Sequence, residues 1–367
     1  MKKTIYCEMR TLGQEVVKLE LPWKKACPEK EAIRIDGPFR ETARNKYIAK
    51  TRGLSAGDVT EVTLQDGVLC IGVVSFSNRV DFTVKIGRTV IKKADFDETV
   101  TEGLSAFEKI EEGIVKYRLY SPGDASEPRP MILFLHGGGN GGTEDGRDNE
   151  KQLIADYGPI NFSLKYPEIY VLAPQAIEQP FHLSPMAKFG PRRQSFDQDM
   201  DPRFGWSREY LSKVCDIIRR MIREGKVDEN RVYVTGMSMG GAGTIRAMSV
   251  ASDLFAACLP VCPSMSPETF SILKSIRRPV WVTSAYIDHT LYRHKYLVDA
   301  VMSLRGNGNS NANLTLFSPE DLQKYDVAIT PDLPFQRLFS ENHASWIPTY
   351  NNEYGIMSWL LNQTKEG

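Results

Sequence analysis

Ser238 lies in Gly236-Met237-Ser238-Met239-Gly240, directly after the β-branched and aromatic run 232–235 and just before a small-residue helical pattern. Strand, sharp turn and helix in that order describe a nucleophile elbow, which holds a serine hydroxyl out at the carboxyl edge of a sheet. Such a turn strains the serine backbone and leaves no room for Cβ atoms beside it, hence glycine at 236 and 240. A serine hydroxyl is a weak nucleophile by itself. It needs a base for its proton, a group that orients the base, and donors for the oxyanion.

Candidates for each role follow from position. The apolar run 131–135 leads into His136-Gly137-Gly138-Gly139. A strand opening into glycines lets backbone amides approach a developing oxyanion, and the expected donors are the N–H groups of Gly138 and Met239. The base is one of five histidines. His136 belongs to the glycine loop, His182 to a long polar segment, and His289 and His294 follow an apolar run directly. His343 alone has a strand–helix unit between it and Ser238, a polar loop before it and a helical pattern after it. The chain order serine, acid, histidine therefore selects His343. Asp288 follows the run 280–283 and is the expected acid, with Asp321, Asp326 and Asp332 as alternatives.

Two long segments, 175–206 and 306–342, are rich in Pro, Gly, Asp and Asn and carry no clear pattern. Loops of that length in a compact domain are usually functional or disordered, and both are read here as walls or lids of a pocket. Phe181, Met186, Phe189, Phe196, Phe204 and Trp206 are candidate pocket aromatics and aliphatics. Gly137, Phe204 and Trp206 are the positions expected to face substrate. Arg192 and Arg193 are candidate anchors for a substrate carboxylate.

The elements that must hold these residues change character along the chain. Up to about residue 105 the pattern is β: candidate strands at 15–21, 61–64, 68–76, 79–86 and 88–93, with Asp66-Gly67 as a hairpin signal. This predicts a small antiparallel β-sandwich at 1–105. The acidic stretch 95–112 lacks long strand runs and reads as the domain boundary, with a helical turn near 105–110 as an option. From 113 onward, candidate strands (114–120, 131–135, 169–172, 232–235, 257–261, 280–283) alternate with candidate helices (207–224, 241–251, 294–305, 353–362). That alternation predicts a mostly parallel, doubly wound α/β sheet at 106–367, with ligands beyond the carboxyl ends of its strands.

A chain of 367 residues exceeds what one core usually serves, which agrees with two domains. The 46 basic and 46 acidic residues balance, so nothing electrostatic points to nucleic acid or an anionic membrane as partner. The N-terminus carries lysines, but Glu8 and Arg10 interrupt any apolar stretch, so the expected location is the cytoplasm. The six cysteines are scattered without Cys-x-x-Cys spacing and read as buried thiols, not as a metal site.

The elbow, with Leu135-His136-Gly137-Gly138-Gly139, Leu172-Ala173-Pro174-Gln175, Gly205-Trp206, Val227 to Gly236 and Asn342-His343-Ala344-Ser345-Trp346, resembles α/β-hydrolase esterases. The group is that related to polyhydroxybutyrate depolymerases and predicted peptidases, and the resemblance spans about residues 113–365. Some members carry an N-terminal immunoglobulin-like domain. The acid loop departs from the His-Gly-x-x-Asp of relatives, reading Ser284-Ala285-Tyr286-Ile287-Asp288, so Asp288 rests on position. The resemblance implies a serine carboxylesterase for short-chain or aryl esters that needs no cofactor or metal. A peptidase, or an inert hydrolase-fold binding protein, is the alternative. The N-terminal domain is a candidate oligomerisation module.

Overall fold

The computed structural model describes residues 1–10, 13–39, 49, 52–123, 126–142, 150–154, 157–177, 205–286, 288, 293–325 and 343–365. The N-terminal part is built on β1 (Thr4–Arg10), β2 (Gly13–Pro22), β3 (Ile33–Asp36), β4 (Val59–Gln65), β5 (Val68–Ser77), β6 (Thr83–Ile86), β7 (Thr89–Lys92) and β8 (Glu98–Thr101). Strands β4-β5-β2-β1-β8 form one sheet and β3-β6-β7 another. Leu19, Leu69 and Ile71 of the first share a core with Ile33, Val84 and Ile86 of the second, which is sandwich packing. Asp66 and Gly67 turn β4 into β5 with φ of +51° and +75°, the paired left-handed values of a two-residue hairpin.

The C-terminal part contains β9 (Phe107–Glu112), β10 (Val115–Tyr120), β11 (Arg129–Leu135), α1 (Lys151–Ile154), α2 (Pro159–Lys165), β12 (Tyr170–Gln175), α3 (Arg208–Arg223), β13 (Val227–Met237) and α4 (Met239–Val250). It continues with β14 (Ala257–Val261), α5 (Pro267–Ser275), β15 (Val280–Ala285), α6 (Arg293–Gly306), β16 (Ala312–Phe317), α7 (Pro319–Gln323), α8 (Trp346–Tyr350) and α9 (Ile356–Leu361). Among the described residues one sheet runs β16-β15-β14-β13-β11-β12-β10-β9. It is parallel from β12 to β16, with β10 and β9 added antiparallel.

Apolar side chains of α3, α4, α5 and α6 cover one face of this sheet. Those of α2, α8 and α9 cover the other. Strands buried on both faces read as continuous apolar runs, as Met131 to Leu135 do, each 0% exposed. Helix α3 starts where Ser207 Oγ accepts the Tyr210 N–H at 3.2 Å, the N-cap its sequence announces. Among the described residues no helix is long and apolar enough to cross a membrane.

One expectation is corrected: 306–342 is not one loop, because β16 and α7 occupy its start. The stretch 95–112, read as lacking long strand runs, holds the short strands β8 and β9. The reason is shared by β9 and β16. Both are edge strands, paired on one side only, and most of their side chains are not buried. Neither strand therefore carries a run of buried apolar residues for periodicity to register.

The chain leaves β11 toward β12 on one side and returns to β13 on the other. In such sheets ligands usually sit at this reversal, beyond the carboxyl ends of β11 and β13. The glycine loop and Ser238 sit at those two ends.

Candidate active site

Ser238 has φ +56° and ψ −113°, a region that a residue with a Cβ occupies only under constraint. The constraint is visible on both sides. Ser238 N–H donates to the Val261 carbonyl at 3.0 Å, and its own carbonyl accepts from Ser264 N–H at 3.0 Å and Ala242 N–H at 3.1 Å. The glycines permit this crowding. A Cβ on Gly240 would collide with the Leu135 carbonyl, and one on Gly236 would lie 2.6 Å from the Gly240 carbonyl. One on Gly241 would lie 2.6 Å from the Val261 carbonyl. The elbow is thus wedged between β11 and β14. Met239 is the first residue of α4, so its amide lies in the turn where no intrahelical acceptor is available and the helix dipole is positive.

The glycine loop is fixed from below. His136 is fully buried, its Nδ1–H donates to the Gly137 carbonyl at 2.8 Å, and its Nε2 accepts the Ala176 N–H at 3.1 Å. Burial pushes its pKa down to about 4, so the ring is neutral at pH 7 and bridges two backbones. Its carbonyl accepts the Trp206 indole N–H at 3.0 Å. Trp206 is 1% exposed and lies against Gly243, where an added Cβ would meet its ring at 2.7 Å. Expected to face substrate, Trp206 instead packs beneath the loop and positions it. A Cβ on Gly138 would meet nothing within 4 Å among the described residues.

Asp288 and His343 meet although they are 55 residues apart. His343 Nδ1 lies 2.9 and 3.0 Å from the two Asp288 carboxylate oxygens. Asp288 is 3% exposed and also accepts from Ser284 Oγ at 3.2 Å. A buried carboxylate against Nδ1 fixes the tautomer that leaves Nε2 as the basic nitrogen.

The His343 turn is anchored through α8. Thr349 Oγ1 donates to the Ser345 carbonyl at 2.8 Å and pairs with Thr283 Oγ1 of β15 at 2.9 Å. Tyr350 OH pairs with Thr235 Oγ1 of β13 at 3.1 Å. These threonines and Tyr350 were not singled out from the sequence, because buried hydroxyls inside apolar strands look like ordinary β-formers. Trp346 sets its ring edge-on to His343, 5.5 Å between centroids at 90°.

Hydrogen bonds step across the strand ends, from Ser238 to Val261, Cys262 to Thr283 and Tyr286 to Phe317. Elbow, Cys262 and acid loop thus share one rim. Asp321, an alternative acid, bonds Tyr354 OH at 2.6 Å and caps α7. Phe181, His182, Met186, Phe189, Arg192, Arg193, Phe196, Phe204, His289, Asp326 and Asp332 lie outside the described residues.

Residues 196–309, which include the elbow and Asp288, match the prolyl oligopeptidase family model. No curated protein matches the chain in sequence. Among solved structures, a thermostable esterase is similar with a TM-score of 0.68 and 20% identity, over 99% of this chain and 100% of that one. An S-formylglutathione hydrolase from Staphylococcus aureus has a TM-score of 0.44 and 12% identity, over 70% of this chain and 95% of that one. Esterase 2 from Thermogutta terrifontis, phosphorylated by paraoxon, has a TM-score of 0.40 and 14% identity, over 69% and 96%. The similarity along the whole chain shows the α/β-hydrolase fold, preceded by a β-sandwich.

Proposed function

We propose that the protein is a serine carboxylesterase that cleaves short-chain or aryl esters through an acyl-enzyme. Ser238 attacks the acyl carbonyl, and His343 takes its proton and returns it to the leaving alcohol. Asp288 orients His343 and stabilises the imidazolium. The amides of Gly138 and Met239 hold the oxyanion. Water, activated by His343, then releases the acid. The observation that carries this reading is the buried Asp288 carboxylate on His343 Nδ1, on the same rim as a serine held at φ +56°.

The test is hydrolysis of p-nitrophenyl acetate, butyrate and octanoate by the wild type and by Ser238→Ala. The expected result is turnover that falls with chain length and is lost in the variant. Absence of turnover in a folded wild type overturns the reading.

A second reading, a serine peptidase, is favoured by the prolyl oligopeptidase match over residues 196–309. The same groups serve an amide, but His343 must then protonate a leaving amine. Cleavage of peptide anilides at rates above those for the esters selects it.

A further inference from the structure

Cys262 has no place in the hydrolytic scheme, yet it stands beside the pair that does. Its Sγ, a carboxylate oxygen of Asp288 and a ring nitrogen of His343 all lie within 4.8 Å of one another. The residue follows β14 directly, is 0% exposed, and is held at φ +35° while its N–H donates to the Thr283 carbonyl at 2.7 Å. We propose that Cys262, Asp288 and His343 form an inhibitory site for a thiophilic divalent cation of the zinc class. The inhibitory consequence rests on the catalytic reading above, whereas the binding itself does not.

The donor set determines the class of ion. A thiolate and an imidazole with one carboxylate suit zinc, cadmium or cobalt(II), while magnesium and calcium prefer oxygen donors alone. Tetrahedral zinc sits about 2.0–2.3 Å from such atoms, which places neighbouring donors roughly 3.3–3.8 Å apart. The three groups therefore need to close by about 1.5 Å at most. Three protein donors leave the fourth position for water, as in open zinc sites. Thiolate and carboxylate together carry two negative charges, which the dication neutralises in a buried setting. Binding expels one proton, that of the Cys262 thiol. If the ion takes Nδ1 of His343, the ring proton moves to Nε2; if it takes Nε2, that lone pair is consumed. Either way the imidazole has no basic nitrogen left for the Ser238 proton.

The experiment has two arms on the full chain. In the first, cobalt(II) is titrated into the wild type, Cys262→Ala, Cys262→Ser and Cys27→Ser, and zinc affinity is read by competition with a chromogenic indicator. The expected result is a sulfur-to-cobalt charge-transfer band with tetrahedral d–d bands at one equivalent. Both Cys262 variants should lose it, with zinc bound at least roughly tenfold more weakly. Cys27→Ser removes an exposed thiol and should keep the band. Absence of the band in wild type, its persistence in Cys262→Ala, or its loss in Cys27→Ser overturns the proposal.

The second arm compares ester hydrolysis with and without zinc within each protein. Wild type should be silenced, and Cys262→Ala should keep most of its own rate. Equal silencing overturns the proposal. A wild type that binds cobalt through sulfur but hydrolyses nothing under any condition refutes the esterase reading and leaves the metal site standing.

Discussion

The imidazole Nδ1 of His343 lies 2.9 Å from Oδ1 and 3.0 Å from Oδ2 of Asp288, two residues separated by 55 positions of sequence. The carboxylate is almost entirely buried, so the contact has little competition from water. On the proposed mechanism it acts through the imidazole, and its removal should be felt in turnover. Asp288→Asn, which keeps the shape but favours the wrong tautomer, should lower kcat by about 10⁴ with KM little changed. Steady-state ester kinetics check this. A loss confined to KM assigns Asp288 to binding.

Ser238 holds φ +56°, a region strained for a residue with a Cβ. Ser238→Gly should be more stable than Ser238→Ala by about 1–2 kcal/mol, because glycine occupies φ +56° without a Cβ penalty. Both variants should be inactive. Urea unfolding of the two side by side decides the matter; equal midpoints mean the elbow is not strained.

His136 links stability to pH. Its folded pKa is about 4, below the ordinary 6.5, because burial disfavours the charged ring. A depressed pKa contributes stability that is complete above 6.5 and is lost as pH falls through 4, since the unfolded chain takes up the proton first. The size is on the order of 3 kcal/mol. His136→Gln preserves a donor for the Gly137 carbonyl and an acceptor for Ala176. It should remove this component of the loss between pH 6.5 and 4, read as the difference between the two proteins' urea-unfolding profiles.

Gly243→Ala tests the support beneath the glycine loop. Its Cβ would lie 2.7 and 2.8 Å from Cγ and Cδ1 of the Trp206 ring. The ring must shift, and its hydrogen bond to the His136 carbonyl shifts with it. Expected are a destabilisation of about 1–3 kcal/mol and a lower kcat, although neither residue touches the reacting atoms. Thermal unfolding and ester kinetics read the two effects. An unchanged kcat in a destabilised protein removes Trp206 from the chain of support.

Thr349→Val removes one partner of the Thr283 hydroxyl and the hydrogen bond to the Ser345 carbonyl. Leaving a buried hydroxyl unpaired costs about 1–3 kcal/mol. Because α8 directly follows the His343 turn, the rate should fall as well. Adding Thr283→Val should recover part of the stability, which a double-mutant cycle measures.

Much of this arrangement was legible before any coordinates. The Gly-x-Ser-x-Gly-Gly run names its own turn, because no residue with a Cβ fits at 236, 240 or 241 among the carbonyls of Leu135, Gly240 and Val261. Central parallel strands such as 131–135 are apolar on both faces and declare themselves as runs. The order of Asp288 and His343 along alternating strands and helices anticipated a contact that the fold makes, with Nδ1 of His343 2.9 Å from the Asp288 carboxylate.

Edge strands β9 and β16 stayed hidden, since polar residues on an edge look like loop. Trp206 was misjudged for a related reason: an aromatic next to a long polar segment reads as pocket lining, while its contact with Gly243 exists only after α4 packs under the loop. The closeness of Asp288 and His343, the threonine contacts that anchor α8, and the position of Cys262 beside both depend on strands brought together across the sheet. Local periodicity encodes which face of an element is buried. Which side chains then meet at the ends of different strands is decided by strand order and register, and only the folded chain fixes those.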